Sequence, residues 1–583
     1  MIVLALLLAA ATPFQSALAE LSRSKLKDPQ RLHRLFELAW QSDNAEHPEQ
    51  ATARGVPGFN ERWTDLSPEA IDRRKRETVS LREAVRAIDR RKLEPADQLN
   101  YDLFLRDVEE DIAVQRFPGE LLAISQLRGP QYLVNTLEVA PARTARDFQD
   151  LLARLEAIPK RLAETEALLR RGMESGVVQP KIVLRDVPAQ LEAQTPADPL
   201  QAPLLKPFVQ LPEGIPGQVR DDAVRIFRER VAPAFAKFRQ FFVAEYLPKA
   251  RETIALSALP DGLDWYLERV RQETTTALTP HEIHQLGMAE VRRIRGEMEK
   301  IMGEVGYKGT LAQFAQFLRT DPRFYFTSKE DLVREYRDIA KRVDPELTKL
   351  FGKLPRLPYG VVEIPGFSAP SQTTAYYRPG APDAHRPGYY FVNTYKLDTR
   401  PKWEMEALTL HESVPGHHLQ IALSQEMGGV PEFRKTSRYV AFVEGWGLYA
   451  ESLGPELGMY QDPYSHFGQL TYEMWRAVRL VVDTGMHALG WTREQAIDYF
   501  KQNAPKTEHD ITVEIDRYIV MPGQALAYKI GELKLKELRA VATKELGPKF
   551  DVRAFHDVVL GSGALPLEIL EEQVRAFIAR QRH

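Results

Sequence analysis

No cysteine occurs among the 583 residues. Disulfides, thiolate nucleophiles and thiolate zinc sites are thereby excluded, and so is a lipid anchor on a cysteine of this sequence. A chain of this length can bury enough core to do without bridges. There is also no excess of charge of one sign: 78 Lys and Arg stand against 81 Asp and Glu, a net −3. Such a balance gives no reason to expect nucleic acid as a partner. Beyond the N-terminal apolar run, no uninterrupted apolar stretch of about 20 residues appears, so no spanning helix is expected. Gly-x-Ser-x-Gly and phosphate-cradling glycine loops are missing as well, which removes the usual serine-hydrolase and nucleotide-binding signals.

What is present begins with Met1 to Ala19, largely apolar and closing on Ala17-Leu18-Ala19. A short apolar core with an Ala-x-Ala ending reads as a secretory signal, residues 1–19, although no Lys or Arg precedes Arg23. The expected location is periplasmic or secreted, with no stable membrane association once the signal is removed. Residues 20–258 read as an N-terminal helical region. Leu32, Leu35 and Phe36 keep helical spacing, and a long amphipathic segment over 143–176 contains Pro159, which can kink or divide it. Residues 259–583 form a C-terminal catalytic region, without a flexible linker between the two. Thr279-Pro280-His281-Glu282 is a capped helix start rather than a metal motif. Val361 to Ile364 and Tyr389 to Asn393 read as strands, Tyr376 to Gly380 as a strand end and turn, and helices follow over 436–453, 463–489, 492–502, 510–540 and 565–581. The fold class expected is mainly α, with one small β element beside the helix that carries His411.

The chemistry concentrates in residues 411–420, His-Glu-Ser-Val-Pro-Gly-His-His-Leu-Gln, and in Glu444 of Val-Glu-Gly-Trp-Gly. Two imidazoles, a carboxylate ligand and a second glutamate next to the first histidine make up the residue set of a hydrolytic zinc site. The spacing differs from His-Glu-x-x-His. On a regular helix His417 would sit about 240° round from His411, and His418 about 10.5 Å along the axis. Neither could share an ion whose bonds to nitrogen are about 2.0–2.1 Å. Pro415 and Gly416 answer the objection, because proline removes a helical N–H and glycine permits an unusual backbone. Two extra residues looped out there would let His411 and His417 meet, with Glu444 as third ligand of one zinc per chain. His418 is the alternative ligand, or else a contact to substrate. Glu412 would be the general base.

These motifs resemble the bacterial domain-of-unknown-function 885 family, as do Arg479 to His487 and Met521-Pro522-Gly523-Gln524-Ala525-Leu526-Ala527-Tyr528. The resemblance implies a large helical body with a deep cleft, similar to gluzincin metallopeptidases such as thimet oligopeptidase and angiotensin-converting enzyme. It implies His411, His417 and Glu444 at the metal and Glu412 as base. Where several gluzincins carry an aspartate four residues after the ligand glutamate, this chain has Leu448. Glu451 or Asp483 would then have to orient a ligand histidine.

Further candidates are Tyr518 and Tyr528 as oxyanion donors, and Arg479 as a two-contact clamp for a peptide carboxylate. His487 lies on the Arg479 helix face, and Asn393 ends a strand that could pair with an extended substrate. The expected function is an exported zinc metallopeptidase acting on peptides. The alternatives are a zinc amidohydrolase or esterase on non-peptide substrates, and a catalytically silent peptide-binding protein. The sequence leaves the oligomeric state unknown.

Overall fold

A computed structural model describes residues 11–366, 369, 372–380 and 386–582. Helices make up 71% of the molecule against a single three-stranded sheet, so the fold is mainly α. The chain divides into two compact units. One comprises Met1–Thr253 with Pro431–Phe433, the other Ile254–Val430 with Arg434–His583. The boundary lies a few residues before the 258/259 border expected from sequence.

The first unit is built from amphipathic helices. Helices α1 (Pro13–Arg23), α2 (Asp28–Glu46), α3 (Pro68–Arg86) and α4 (Pro95–Val114) each begin with proline in the first turn. That is where its missing N–H costs nothing. Leu18, Leu21, Leu32, Leu35, Phe36, Val85, Tyr101 and Phe104 close into one apolar cluster. The cleavage point expected after Ala19 therefore falls inside a packed helix, while residues 1–10 of the expected signal lie outside the described residues. Helix α5 (Ala145–Ser175) runs unbroken through Pro159. The apolar stripe of Phe148, Leu151, Leu155, Ile158 and Leu162 is buried along it and outweighs the missing hydrogen bond.

The second unit holds every candidate site residue. Helix α6 (Pro280–Glu304) starts at Thr279, whose side chain and that of Glu282 satisfy each other's backbone N–H groups. The sheet follows, with β1 (Tyr359–Glu363), β2 (Ala375–Arg378) and β3 (Gly388–Val392) in the order β1-β3-β2. Strand β3 is central, parallel to β1 and antiparallel to β2. Both its edges are therefore taken, and the expected pairing of this strand with an extended substrate has no open edge.

Helices α7 (Met405–Glu412) and α8 (His417–Gln425) carry the histidine motif. They are followed by α9 (Val440–Ser452), α10 (Pro463–Ala488), α11 (Glu508–Val520) and α12 (Ala527–Leu546). The single helix expected over 510–540 is in fact α11 and α12. Pro522 and Gly523 separate them, and Gly523 adopts a left-handed φ of 82° that a side chain would strain.

Helix α9 packs on α12 through two glycines. A Cβ on Gly531 would lie 1.8 Å from the Ala441 carbonyl oxygen, and one on Gly445 would lie 2.5 Å from the Gly531 Cα. The backbones touch, which fixes the height of Glu444 beside them. Gly531→Ala is accordingly expected to destabilise the second unit by about 3 kcal/mol. Gly296→Ala, at an open helix position, should stabilise it by about 0.5–1 kcal/mol. Urea unfolding of both variants checks the pair, and equal effects would show that the α9–α12 contact has slack.

Candidate metal centre

The histidine motif is a broken helix. Helix α7 ends at Glu412, Ser413 takes φ −104° and ψ −117°, and Gly416 takes φ −76° and ψ −129° before α8 begins at His417. Residues 413–416 thus form a loop between two short helices, where a straight helix would have turned His417 away from His411. Gly416 is required for steric reasons. A Cβ there would come within 1.9 Å of the His411 carbonyl oxygen and 2.4 Å of that of Leu410.

The break brings the imidazoles together edge to face, with ring centroids 4.6 Å apart. Glu444 meets both from α9. Its Oε2 is 3.7 Å from His411 Nε2 and 3.5 Å from His417 Nε2. One ligand atom from each residue lies within 4.8 Å of the others, and among the described residues this is the group of three whose geometry suits an ion. Ligand atoms on a tetrahedral zinc are separated by about 3.3 Å, given bonds of about 2.0–2.1 Å. The Glu444 separations match that closely, so two neutral imidazoles and one carboxylate fit the ion with small side-chain adjustments and leave a coordination position free.

Helix α9 supplies more than the ligand. The His411 ring lies so close to the helix that a Cβ on Gly447 would sit 2.7 Å from its Cε1. Glu451, two turns after Glu444 and fully buried, bonds His411 Nδ1 through Oε1 at 2.7 Å. This contact orients the ring, since Nδ1–H donates to the carboxylate and Nε2 is left to face Glu444. Of the two carboxylates expected to orient a histidine, Glu451 occupies that place. Asp483 accepts from the Tyr266 hydroxyl at 2.6 Å and the Gly523 N–H at 3.1 Å instead. Burial pushes its carboxyl up to about 7, against the lowering effect of those two bonds.

The cluster has the electrostatics of a cation site. Burial would keep His411 neutral, yet the carboxylates of Glu444 and Glu451 outweigh it and raise the imidazole to about 9. Burial likewise opposes a charged Glu444, but His411 and His417 hold it well below the usual carboxylate range. A proton at His411 thus offsets part of the negative charge of the two carboxylates. Glu412 is half-buried and adjacent, and makes no side-chain hydrogen bond or ion pair among the described residues. Its charge nevertheless helps to raise His411.

The other predicted residues divide into two groups. Tyr528 is half-buried, and burial together with the nearby charge of Glu444 raises its phenol. Of the two tyrosines expected as oxyanion donors, it is the one that responds to the charge of Glu444. Tyr518 is fully buried with its hydroxyl committed: it donates to Glu514 Oε2 at 2.5 Å and accepts from Arg479 Nε at 2.7 Å and Trp475 Nε1 at 3.1 Å. Arg479 is buried against the rings of Trp475, Tyr518 and Tyr528, and its Nη2 reaches Glu514 at 3.2 Å. Its Nε and Nη2 are thus engaged within the fold, while Nη1 is buried without a partner among the described residues.

His418, Asn393 and His487 are consumed by the fold. His418 accepts from the Tyr377 hydroxyl at Nδ1 (2.8 Å) and donates to the Leu357 carbonyl from Nε2 (3.0 Å), so it ties the sheet to α8 and faces away from the cluster. Burial lowers it to about 4 and keeps it neutral. Asn393 donates to the carbonyls of Ala369, Gln372 and Thr373 and accepts from the Tyr395 N–H. His487 accepts from the Leu256 N–H and donates to the Tyr518 carbonyl, each at 3.0 Å. None of the three presents a free nitrogen or amide to a ligand. Arg476, one turn before Arg479 on α10, lies 4.0 Å from Glu451 and backs the carboxylate that orients His411.

Comparison with known proteins agrees with this description of the fold. A Colwellia psychrerythraea structure described as "the putative lipoprotein" superposes with a TM-score of 0.89 at 30% identity, over 95% of this chain and 100% of that one. A Shewanella oneidensis structure, "a putative lipoprotein of unknown function", gives 0.67 at 18% identity over 94% and 99%, a likeness of fold. No functionally curated protein matches. The model of the family described as "Bacterial protein of unknown function (DUF885)" matches residues 48–574, and the chain belongs to that family.

Proposed function

We propose that this protein is a zinc-dependent metallopeptidase that hydrolyses peptide bonds at the His411–His417–Glu444 cluster. The observation that carries the reading is the convergence of those three side chains across a broken helix, with Glu412 next to the first of them and unpaired among the described residues. The order of ligands resembles that of the gluzincins with two residues added between the histidines. The relatives described as lipoproteins support an envelope location. No described helix is long and apolar enough to cross a membrane.

His411, His417 and Glu444 would hold zinc, which when bound polarises a carbonyl and acidifies a coordinated water. Glu412 takes the proton of the attacking water and delivers it to the departing amine, a role that suits a carboxylate without other partners among the described residues. Tyr528 donates a hydrogen bond to the carbonyl oxygen as it gains charge, the position for which a half-buried phenol beside Glu444 is suited. Glu451 keeps His411 in the tautomer that offers Nε2, and Arg476 behind it tempers its charge.

Three outcomes are expected. Glu412→Gln should abolish cleavage of a peptide mixture, read by mass spectrometry, while zinc content stays at that of the wild type. Full activity in that variant would dispose of the base assignment. Tyr528→Phe should lower kcat by about a hundredfold with KM little changed, whereas an equal change in KM would make Tyr528 a binding residue. Zinc affinity should fall as pH is lowered from about 9, because a proton held on His411 competes for the same nitrogen. One proton displaced per ion gives about tenfold per pH unit below that value. A pH-independent dissociation constant between pH 6 and 8 would contradict the ligand role of His411.

A further inference from the structure

The segment between the two histidines lacks the hydrogen bonds that would hold it in a helix, so other groups must hold it. The Ser413 carbonyl accepts from the His418 N–H at 3.0 Å, and the Gly416 carbonyl accepts from the Gln420 N–H at 3.1 Å. The Pro415 carbonyl, at the apex of the loop, accepts a side-chain donor. Trp446 Nε1–H reaches it at 2.8 Å, with both groups buried. An indole has one donor and no acceptor, so a fully buried tryptophan needs a partner of this kind. Trp446 is entirely enclosed, edge-on to Phe351 and His556 and tilted against Tyr449. Its position in α9 is the telling point. Glu444 is two residues before it, Gly447, which admits the His411 ring, is one after, and Glu451 follows on. Consecutive turns of one helix thus touch each part of the motif.

We propose that Trp446 is a positioning residue of the metal centre: its indole N–H pins the Pro415 carbonyl and so holds His417 at 3.5 Å from Glu444, beside His411 at 3.7 Å. This rests on the metal-site reading above. The shape of the ring fills the core, and the bond to Pro415 registers the loop. These contributions separate experimentally, because phenylalanine retains much of the packing and removes the donor.

The test is a zinc dissociation constant by chelator competition for the wild type, Trp446→Phe and Tyr449→Phe. Tyr449→Phe deletes the neighbouring hydroxyl contact to His556 Nε2 (2.9 Å) in the same aromatic cluster and leaves the loop alone. Trp446→Phe should weaken zinc by about tenfold or more with an unchanged circular dichroism spectrum, the cost of losing a group that orients ligands. Tyr449→Phe should leave zinc affinity where it was. Unaltered affinity in Trp446→Phe, or equal weakening in both variants, would overturn the proposal. If Trp446→Phe does not fold, 3-benzothienylalanine at position 446, which keeps the bicyclic shape without the N–H, gives the same readout. A wild type that binds no zinc would instead overturn the metal site, and this proposal with it.

Discussion

The second unit depends at its centre on one backbone constraint, the interruption of a helix between Glu412 and His417. A helix is the cheapest way to satisfy buried N–H and C=O groups, and breaking one in the interior exposes those groups to desolvation without partners. The molecule meets that cost locally. Ser413 Oγ donates to the Thr409 carbonyl, the Ser413 carbonyl finds the His418 N–H, and the Pro415 carbonyl finds Trp446. What the break provides is proximity of two imidazoles that a continuous helix would keep apart.

Helix α9 is the counterpart of that break. It carries Glu444, leaves a gap at Gly447 for the His411 ring, and buries Glu451 against His411 Nδ1. It is itself set in place by the glycine contact with α12. Around the cluster several buried polar atoms lack partners among the described residues: His417 Nδ1, Glu451 Oε2, Arg476 Nε and Arg479 Nη1. A core selected for stability alone would avoid that concentration, and its presence beside three convergent metal-capable side chains fits the proposed site. Charge follows the same pattern: His411 and His417 hold Glu444 below the usual carboxylate range, and Glu444 and Glu451 raise His411.

Much of this was legible in the sequence because the signals are local. Pro415 and Gly416 mark the break by their own backbone chemistry, and Gly445 and Gly447 mark close approach on the next helix. The strands and most C-terminal helices follow from period and punctuation. The division of 510–540 into two helices was missed because amphipathic spacing continues on either side of Pro522-Gly523. The roles of His418, Asn393 and His487 were illegible for a different reason. A polar residue near a motif looks alike in sequence whether it meets a ligand or a backbone group brought in from elsewhere. Leu357, Ala369 and Leu256, which supply those partners, are far away in the chain. The choice between Glu451 and Asp483 was open on the same ground, since only packing shows which carboxylate faces His411.

The most direct measurement is an anomalous difference map, collected at the zinc absorption edge from crystals of the wild-type protein grown with zinc. One peak is predicted, bonded to His411 Nε2, His417 Nε2 and a Glu444 carboxylate oxygen, with residues 413–416 looped between two helices. Zinc bound elsewhere, or a continuous helix that carries His417 away from His411, would contradict the account.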